Sequence, residues 1–184
     1  MPLGLAGSAS GVPVGPQYCA PPSWFRGVEG VRSAWPQSGG PFGRTPARLR
    51  GSVAQRQGKR YERKVLEYLS EVLGDRFRAS QWFKFEDNSG DFRWCQLDGI
   101  LHTTFGTVIF EVKYTFTSDA WWQIRHLYEP IVKKIYGRPI AAAIVCKNFD
   151  PAVPFPEPHI LLPSVSGLQN SLERDRTYVV RWRP

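Results

Sequence analysis

One segment, residues 107–114, limits the folds available to this chain more than any other part of the sequence. It reads TVIFEVKY, and its run of β-branched and aromatic residues predicts a central strand that is buried on both faces. Such a strand needs a layer of side chains on each side, so the segment predicts a sheet flanked by helices. Two charged residues, Glu111 and Lys113, interrupt the apolar run.

The segments around this strand supply the other parts of an α/β domain. A helix is predicted over residues 52–73, where Ser52 can cap the first turn and Gly74 can end the last. A second helix is predicted over residues 119–136, and Pro130 is expected to bend it. Further strands are predicted over residues 77–85, 92–101, 139–147 and 177–182. The order α-β-β-β-α-β predicts a mixed central sheet, with a C-terminal extension at residues 151–184 that contributes an edge strand.

Residues 1–50 differ from the rest in composition. They contain eight prolines, nine glycines, five arginines and one acidic residue, and they show no regular apolar period. The sequence therefore predicts a basic Pro/Gly-rich N-terminal arm in front of a core at residues 51–150. Two interpretations of this arm remain open. It is a disordered tail, or it is an extended segment that docks on DNA or on a protein partner through Trp24, Phe25, Trp35 and Phe42.

Charge and cysteine content narrow the classes of function. The formal net charge of +8 favours a polyanionic partner, most often nucleic acid. Three widely spaced cysteines exclude a zinc finger and a disulfide framework, and they suit a reducing compartment. No apolar run is long enough to cross a bilayer, and the first residues lack the pattern of a secretory signal. We therefore expect no membrane partner and a cytoplasmic location, or carriage in a virion if the chain comes from a phage.

A set of charged residues points to metal chemistry. Glu111 and Lys113 are two positions apart on a strand, so their side chains project from the same face. Asp98 precedes Glu111 by thirteen positions, and pairing around the turn at residues 102–106 would bring the two carboxylates together. A divalent cation removes the repulsion between such carboxylates, and their oxygens suit Mg²⁺ or Mn²⁺. The alternative is that Glu111 and Lys113 form an exposed surface ion pair.

Glu62 extends this set to the first helix. It begins an apolar strip at helical spacing, which predicts that its carboxylate faces the sheet; the strip continues through Leu66, Leu69 and Leu73. The alternative is a solvated position, because the charged face of the same helix lies close by.

Glu62 on a helix, Asp98 at a strand end, a hairpin, and Glu111-Val112-Lys113 on the next strand together resemble the PD-(D/E)xK nuclease superfamily. The similarity covers about residues 52–147, and the stretch LDGILHTTFGTVIFEVKYT is similar to the motif core of that family. The resemblance implies a restriction-endonuclease-like core. It also implies an Mg²⁺-dependent deoxyribonuclease, for which Mn²⁺ can substitute.

The resemblance implies a role for each residue of the set. Asp98 and Glu111 would bind the metal together with the backbone carbonyl of Val112. Lys113 would orient or deprotonate the attacking water and neutralise charge at the phosphate. Glu62 would support a second metal or the water shell. These roles amount to metal-assisted hydrolysis of a phosphodiester bond.

The second predicted helix carries a further catalytic candidate. Some branches of the superfamily place a glutamine, and a tyrosine four positions later, on the helix after the E-x-K strand. Here Tyr128 follows Gln123 by five positions, so the match is incomplete. The resemblance implies that Gln123 bonds the active-site lysine or a phosphate; the alternative is an ordinary polar helix position.

Two groups of basic residues complete the predicted site. Contacts with DNA phosphates are predicted for Lys59, Arg60 and Lys64 on the first helix and for Lys133 and Lys134 on the second. The alternative for both groups is a solvated helix face. We therefore expect a metal-dependent DNA endonuclease. The alternative function is a structural or DNA-binding component of a phage virion or nucleoprotein assembly that uses the nuclease fold as a module.

Overall fold

The centre of the molecule is a six-stranded mixed sheet. The computed structural model describes residues 30–41, 52–149 and 176–182. Its strands lie in the order in which they occur in the chain: β1 (Val31–Gln37), β2 (Phe77–Asp87), β3 (Phe92–Thr103), β4 (Gly106–Phe116), β5 (Ala141–Phe149) and β6 (Thr177–Arg181). Neighbouring strands pair antiparallel from β1 through β2 and β3 to β4, whereas β4, β5 and β6 run parallel to one another. The predicted α/β class with a mixed central sheet is confirmed.

Helices cover the sheet on both faces, as the sequence predicts. One face packs against α1 (Val53–Leu73), which a short 3₁₀ turn (Gly74–Arg76) joins to β2. The other face packs against α2 (Ser118–Gln123), a π-helical turn (Ile124–Tyr128) and α3 (Glu129–Tyr136). The predicted cap at Ser52 is confirmed, since its hydroxyl accepts from the backbone N–H of Gln55 while the Gln55 side chain accepts from the Ser52 N–H. This reciprocal pair satisfies two backbone donors that a helix start otherwise leaves unpaired.

Alternation along the strands divides the apolar residues into two cores. The core under α1 joins that helix mainly to β4, β5 and β6, and through Phe77 and Leu101 to one end of β2 and β3; it also includes Tyr61, Val65, Leu66, Leu69, Val108, Phe110 and Val145. The core under the π turn and α3 reaches β2 and β3 as well, and it includes Phe83, Phe85, Ile100, Ile109, Ile124, Ile131 and Ile144. Strand β4 contributes to both cores, so its position as a central strand buried on both faces is confirmed.

Strand β1 lies within the predicted arm at residues 1–50, and for this segment the interpretation as a disordered tail is wrong. It pairs with β2 from Val31 opposite Asp87 to Gln37 opposite Trp82, and therefore belongs to the sheet. A bulge between Val31 and Ser33 changes the alternation, so that Val31 and Ala34 both face the core although they are three positions apart. The bulge explains why no period of two is visible. Of the arm's other predicted contacts, Trp24, Phe25 and Phe42 lie outside the described residues.

The second predicted helix is confirmed over residues 119–136, but it contains an irregularity that the sequence does not predict. Helical backbone continues from Ser118 to Tyr136, and a π-helical turn lies between α2 and α3 where only a bend at Pro130 is expected. Its wider hydrogen-bond step is visible where the N–H of Glu129 donates to the carbonyl of Ile124. Pro130 then lies in the first turn of α3, where a missing N–H costs least. The turn adds one residue to the helix between Gln123 and Tyr128, which matters for the site.

The last strand confirms the predicted edge strand. It pairs in parallel with β5, while residues 151–175 of the predicted extension lie outside the described residues. Two free thiols, Cys95 on β3 and Cys146 on β5, are buried, and burial raises the pKa of each to about 12. Within the described ranges, no helix has both the length and the apolar character needed to cross a membrane.

Candidate active site

The candidate site lies where β3 and β4 separate. The two strands pair from Thr103 opposite Gly106 to Gly99 opposite Phe110. At the next position the Asp98 carboxylate accepts a hydrogen bond of 2.7 Å from the backbone N–H of Val112. The side chain thus takes the place of a strand acceptor, and it is held at the point of separation by the backbone of β4. The predicted approach of Asp98 to Glu111 depends on this contact.

The backbone on the other side of Asp98 is distorted. Ala79 pairs with Gly99 and Gln81 with Leu97, which leaves Ser80 opposite Asp98 without a paired partner in β3. Ser80 has a φ of 54°, a left-handed conformation that costs a serine on the order of 1 kcal/mol. A Cβ on Gly99 would lie 2.4 Å from the Phe77 ring, so only glycine fits there. The strained backbone at Ser80 and the tight packing at Gly99 thus flank Asp98 at the end of the regular pairing.

Glu111 and Lys113 project from the same side of β4, as their spacing predicts. The Lys113 ammonium lies 2.5 Å from Oε1 of Glu111, and Glu111 is only 1% exposed. The interpretation of this pair as an exposed surface ion pair is therefore wrong. The second oxygen, Oε2, is buried and finds no hydrogen-bond partner among the described residues. A buried carboxylate oxygen without a partner is costly, and it is suited to receive a proton or a cation.

The surroundings of Glu111 favour its neutral form. Burial raises the pKa of Glu111 to about 8; the charges of Asp98 and Glu62 also raise the pKa, and Lys113 lowers it. Burial likewise raises the pKa of Asp98, although the Val112 N–H and Lys113 oppose the shift. The charge of Asp98 acts on Glu111, so the two carboxyl groups are neighbours. A proton between them, or a cation, therefore relieves their repulsion.

The surroundings of Lys113 favour its charged form, in contrast to Glu111. Burial lowers its pKa, but the Glu111, Asp98 and Glu62 carboxylates together outweigh burial and raise the pKa above its ordinary value. Lys113 is therefore a protonated donor at neutral pH. Its ammonium group lies where β3 and β4 separate, and the neighbouring carboxylates stabilise the positive charge there.

Glu62 approaches these residues from α1. It is half-buried, and burial followed by the charge of Asp98 raises its pKa, while Lys113 and Lys59 lower it. The structure thus brings together four of the predicted residues, Glu62, Asp98, Glu111 and Lys113, which originate from one helix and two strands. We call these four residues the acidic cluster.

The donors of this cluster fit a hard divalent cation in chemical type. Carboxylate oxygens from Asp98 and Glu111 and the carbonyl of Val112 are the ligands that Mg²⁺ and Mn²⁺ prefer, and the unpartnered Oε2 of Glu111 is available to such an ion. In the described part of the chain, however, no three His, Cys, Asp or Glu side chains are arranged to hold a metal ion together. Asp98 and Glu111 would therefore act as a pair, and Mg²⁺ commonly retains several water ligands at such sites.

The π turn changes the relation between Gln123 and Tyr128. In a π-helix residues five apart occupy the relation that residues four apart have in an α-helix. The five-residue spacing, which departs from the family pattern in the sequence, is thereby compensated across the turn. Tyr128 is 5% exposed, and burial, then the charges of Glu111 and Asp98, raise its pKa well above the ordinary value. Tyr128 is thus a neighbour of the acidic cluster that a search for four-residue spacing misses.

Gln123 itself is placed at the end of α2, just before the π turn. Its side-chain Oε1 is buried and has no hydrogen-bond partner within the described ranges. A buried amide oxygen without a partner is available to accept a hydrogen bond, as the predicted contact with a lysine requires.

The predicted basic residues do not form one surface. Lys59, Arg60 and Lys64 are exposed on α1, and Lys59 lies close enough to Glu62 to lower its pKa. Lys133 and Lys134 are exposed in the last turn of α3, which covers the opposite face of the sheet. Lys59 therefore borders the acidic cluster, whereas the last turn of α3 lies at the other end of β3, where Tyr136 contacts His102.

No family model and no curated protein matches this sequence. The resemblance to PD-(D/E)xK nucleases is therefore carried by the residues themselves and stays a prediction. The functional interpretation depends on the geometry of the acidic cluster.

Proposed function

We propose that this chain is a metal-dependent DNA nuclease of the PD-(D/E)xK type with a restriction-endonuclease-like core. One observation carries the proposal: Asp98, Glu111 and Lys113 meet where β3 and β4 separate, and a buried oxygen of Glu111 has no partner there among the described residues. Burying two acids and a base together costs several kcal/mol. A function that uses their charges accounts for that cost.

In this mechanism Asp98, Glu111 and the Val112 carbonyl hold the metal. The Val112 N–H is already bound to Asp98, so the same residue fixes one ligand and supplies another. Bound Mg²⁺, or Mn²⁺ in its place, supplies Lewis acidity to the phosphate and lowers the pKa of coordinated water. Lys113 donates to a phosphate oxygen on which negative charge develops, and its protonated state suits that role.

Two further side chains have supporting roles. Glu62 accepts a hydrogen bond from the attacking water or its neighbours, because its carboxylate lies close to Asp98 and Lys113. Gln123 bonds the lysine or a phosphate, as the family pattern implies. The exposed basic group of Lys59, Arg60 and Lys64 contacts the DNA backbone on the α1 side of the cluster.

Cleavage of supercoiled plasmid with and without Mg²⁺ tests the proposal. Glu111→Gln preserves shape but removes a ligand charge, and Lys113→Ala removes the cation; each is expected to lower the cleavage rate at least ~10²-fold. Calorimetric titration should show that Glu111→Gln loses Mg²⁺ binding, whereas Lys113→Ala retains it. Glu67→Gln, on an exposed part of α1, is the matched control and should cut like the wild type.

Two results would overturn this function. Wild-type-like cleavage by either variant removes the proposed mechanism. A wild-type chain that binds DNA but neither binds Mg²⁺ nor cuts any substrate supports the alternative, a structural or DNA-binding component of a nucleoprotein assembly.

A further inference from the structure

On the α1 side of the sheet, most of β1, β2 and β3 lacks a helical cover among the described elements. On β2, Phe83 and Phe85 face the core under α3, so Trp82, Lys84 and Glu86 project to the opposite side. The apolar contacts of α1 on that side lie mainly against β4, β5 and β6. We call the side of β1, β2 and β3 that points away from α3 the open face.

Aromatic rings gather on the open face. Trp35 on β1, Lys84 on β2 and Trp94 on β3 form one cross-strand row, and Phe92 lies in the next row. The Trp35 and Phe92 rings are 6.2 Å apart between centroids, and they are 43% and 59% exposed. Aromatic side chains exposed side by side on a sheet mark a binding surface rather than a packed core.

A positive charge lies among these rings. The Lys84 ammonium is 4.4 Å from the centroid of Phe92 and forms no ion pair with the acidic residues of the described ranges. Glu86, the neighbouring acid, is already bound by the hydroxyl of Ser33 and lies 3.9 Å from Arg32. The open face therefore combines planar apolar surface with a cation that is available to an anion.

The open face runs along β3 as far as Asp98. Phe92, Trp94 and Gln96 lie on its side of β3, and the alternation breaks at Asp98, where the pairing with Ser80 is lost. Glu111 and Lys113 lie on the side of β4 that faces the π turn and α3, so the rings and these two residues are on opposite faces of the sheet.

This combination identifies the chemistry of the ligand. Unpaired bases stack on exposed aromatic rings, whereas the bases of a duplex present only their edges, and a lysine among the rings pairs with the phosphates between bases. We propose that the open face binds unpaired bases of a single-stranded nucleic acid segment. This inference concerns binding and is independent of the proposed nuclease function.

Fluorescence anisotropy in EDTA tests binding without cleavage. The probes are labelled oligo(dT), labelled oligo(U) and a blunt duplex, each titrated with the full chain. Trp35→Ala combined with Phe92→Ala should weaken single-strand binding about tenfold or more and change duplex binding less than about twofold.

Three single variants of Phe92 test whether the ring itself is needed. Phe92→Tyr should bind like the wild type, whereas Phe92→Leu, which keeps apolar bulk without a ring, should bind as weakly as Phe92→Ala. Phe105→Ala is the matched control, since Phe105 is 73% exposed at the turn between β3 and β4, away from the open face.

Thermal unfolding of each variant verifies that the fold is intact, and the single Phe92 variants keep the test decisive if the double variant is unstable. Unchanged single-strand binding by the Phe92→Leu and Phe92→Ala variants, or equal losses for single strand and duplex, overturns the inference. A wild type that binds none of the three probes also overturns it. A wild type that cuts plasmid but fails these binding tests leaves the nuclease function standing. One that binds through the rings but never cuts overturns the nuclease function and leaves this inference standing.

Discussion

Strands β4 to β6 and strands β1 to β3 form two halves of one sheet with different surroundings. The first half is parallel and packs against α1 on one face and against the π turn and α3 on the other. The second half is antiparallel, and the side chains of Trp35 and Phe92 on its open face are exposed. In the covered half a side chain contributes mainly through burial, whereas on the open face it remains available to a ligand.

The acidic cluster lies where these halves meet. Asp98 belongs to the last strand of the open half, while Glu111 and Lys113 belong to the first strand of the covered half. Burial against the core under the π turn and α3 raises the pKa of Glu111. The charged groups thus lie at the junction of the two halves, where the regular pairing of β3 with β4 ends.

The largest expected effect tests the covered half directly. Ile144 on β5 is fully buried, so Ile144→Ala should lower the free energy of unfolding by about 2–5 kcal/mol. Trp35→Ala on the open face should lower it by less than about 1 kcal/mol. Urea denaturation of both variants measures the difference. Equal losses would mean that the open face is packed rather than open, and the comparison between the halves would fail.

A second prediction compares the two basic groups. Changing Lys59, Arg60 and Lys64 together to Ala should weaken DNA binding about tenfold and flatten its salt dependence, because fewer phosphate contacts release fewer counterions. Lys133→Ala with Lys134→Ala is the matched change on α3 and should have a smaller effect, since these residues lie on the other face of the sheet. Anisotropy titrations over a range of salt concentrations measure both slopes. A larger loss for the α3 pair would place DNA on that face.

The third prediction concerns pH at the junction of the halves. The folded-state pKa of Glu111, about 8, lies above its ordinary value of 4.5, so the folded state binds the proton more tightly. The resulting stability is fully present below about pH 4.5 and is lost as the pH rises toward 8. The Glu111→Gln variant has no carboxyl group to lose a proton at this position, so its stability should not fall over this pH range. Above pH 8 the variant should therefore be more stable than the wild type by roughly 1–2 kcal/mol. Thermal melts from acid to alkaline pH in EDTA measure the effect. The exposed Glu67→Gln serves as control, and parallel curves for wild type and Glu111→Gln would contradict the expectation.

The smallest expected effect concerns the backbone of the open half beside Asp98. Ser80→Gly relieves a positive φ and should raise the free energy of unfolding by about 0.5–1 kcal/mol. Ser70→Gly in the regular part of α1 is the matched control and should lower it by a similar amount. Denaturation curves of the two variants show whether each change raises or lowers the free energy of unfolding. If Ser80→Gly destabilises the protein, then side-chain interactions of Ser80 outweigh its backbone strain.

Local patterns predicted much of the fold. The cap at Ser52 and the apolar run of β4 depend on neighbouring residues in the chain, and both are confirmed. Strand β1 was missed because its bulge removes the alternation and its pairing partner is about fifty positions away. The π turn was missed because its buried residues, Ile124, Leu127 and Tyr128, have the same spacing as in an ordinary helical turn, so no local pattern distinguishes the two.

The candidate site likewise combines features that local patterns predict with features that depend on distant parts of the chain. The common side of Glu111 and Lys113 follows from strand geometry alone. The contact of Asp98 with the Val112 N–H depends on the separation of β3 from β4, which no short pattern encodes. Tyr128 is brought near the acids only through the π turn. The roles of all these residues remain predictions that the cleavage and binding experiments address.

The two buried thiols allow the halves to be followed separately in time. Cys95 lies in the open half and Cys146 in the covered half, and a thiol whose pKa is about 12 reacts with an alkylating reagent only after local opening exposes it. In a Cys19→Ser background, mass spectrometry of alkylated peptides therefore reports the opening rate of each half in one sample. Equal rates would identify the sheet as a single cooperative unit, and faster labelling of Cys95 would identify the ligand-facing half as the part that opens first.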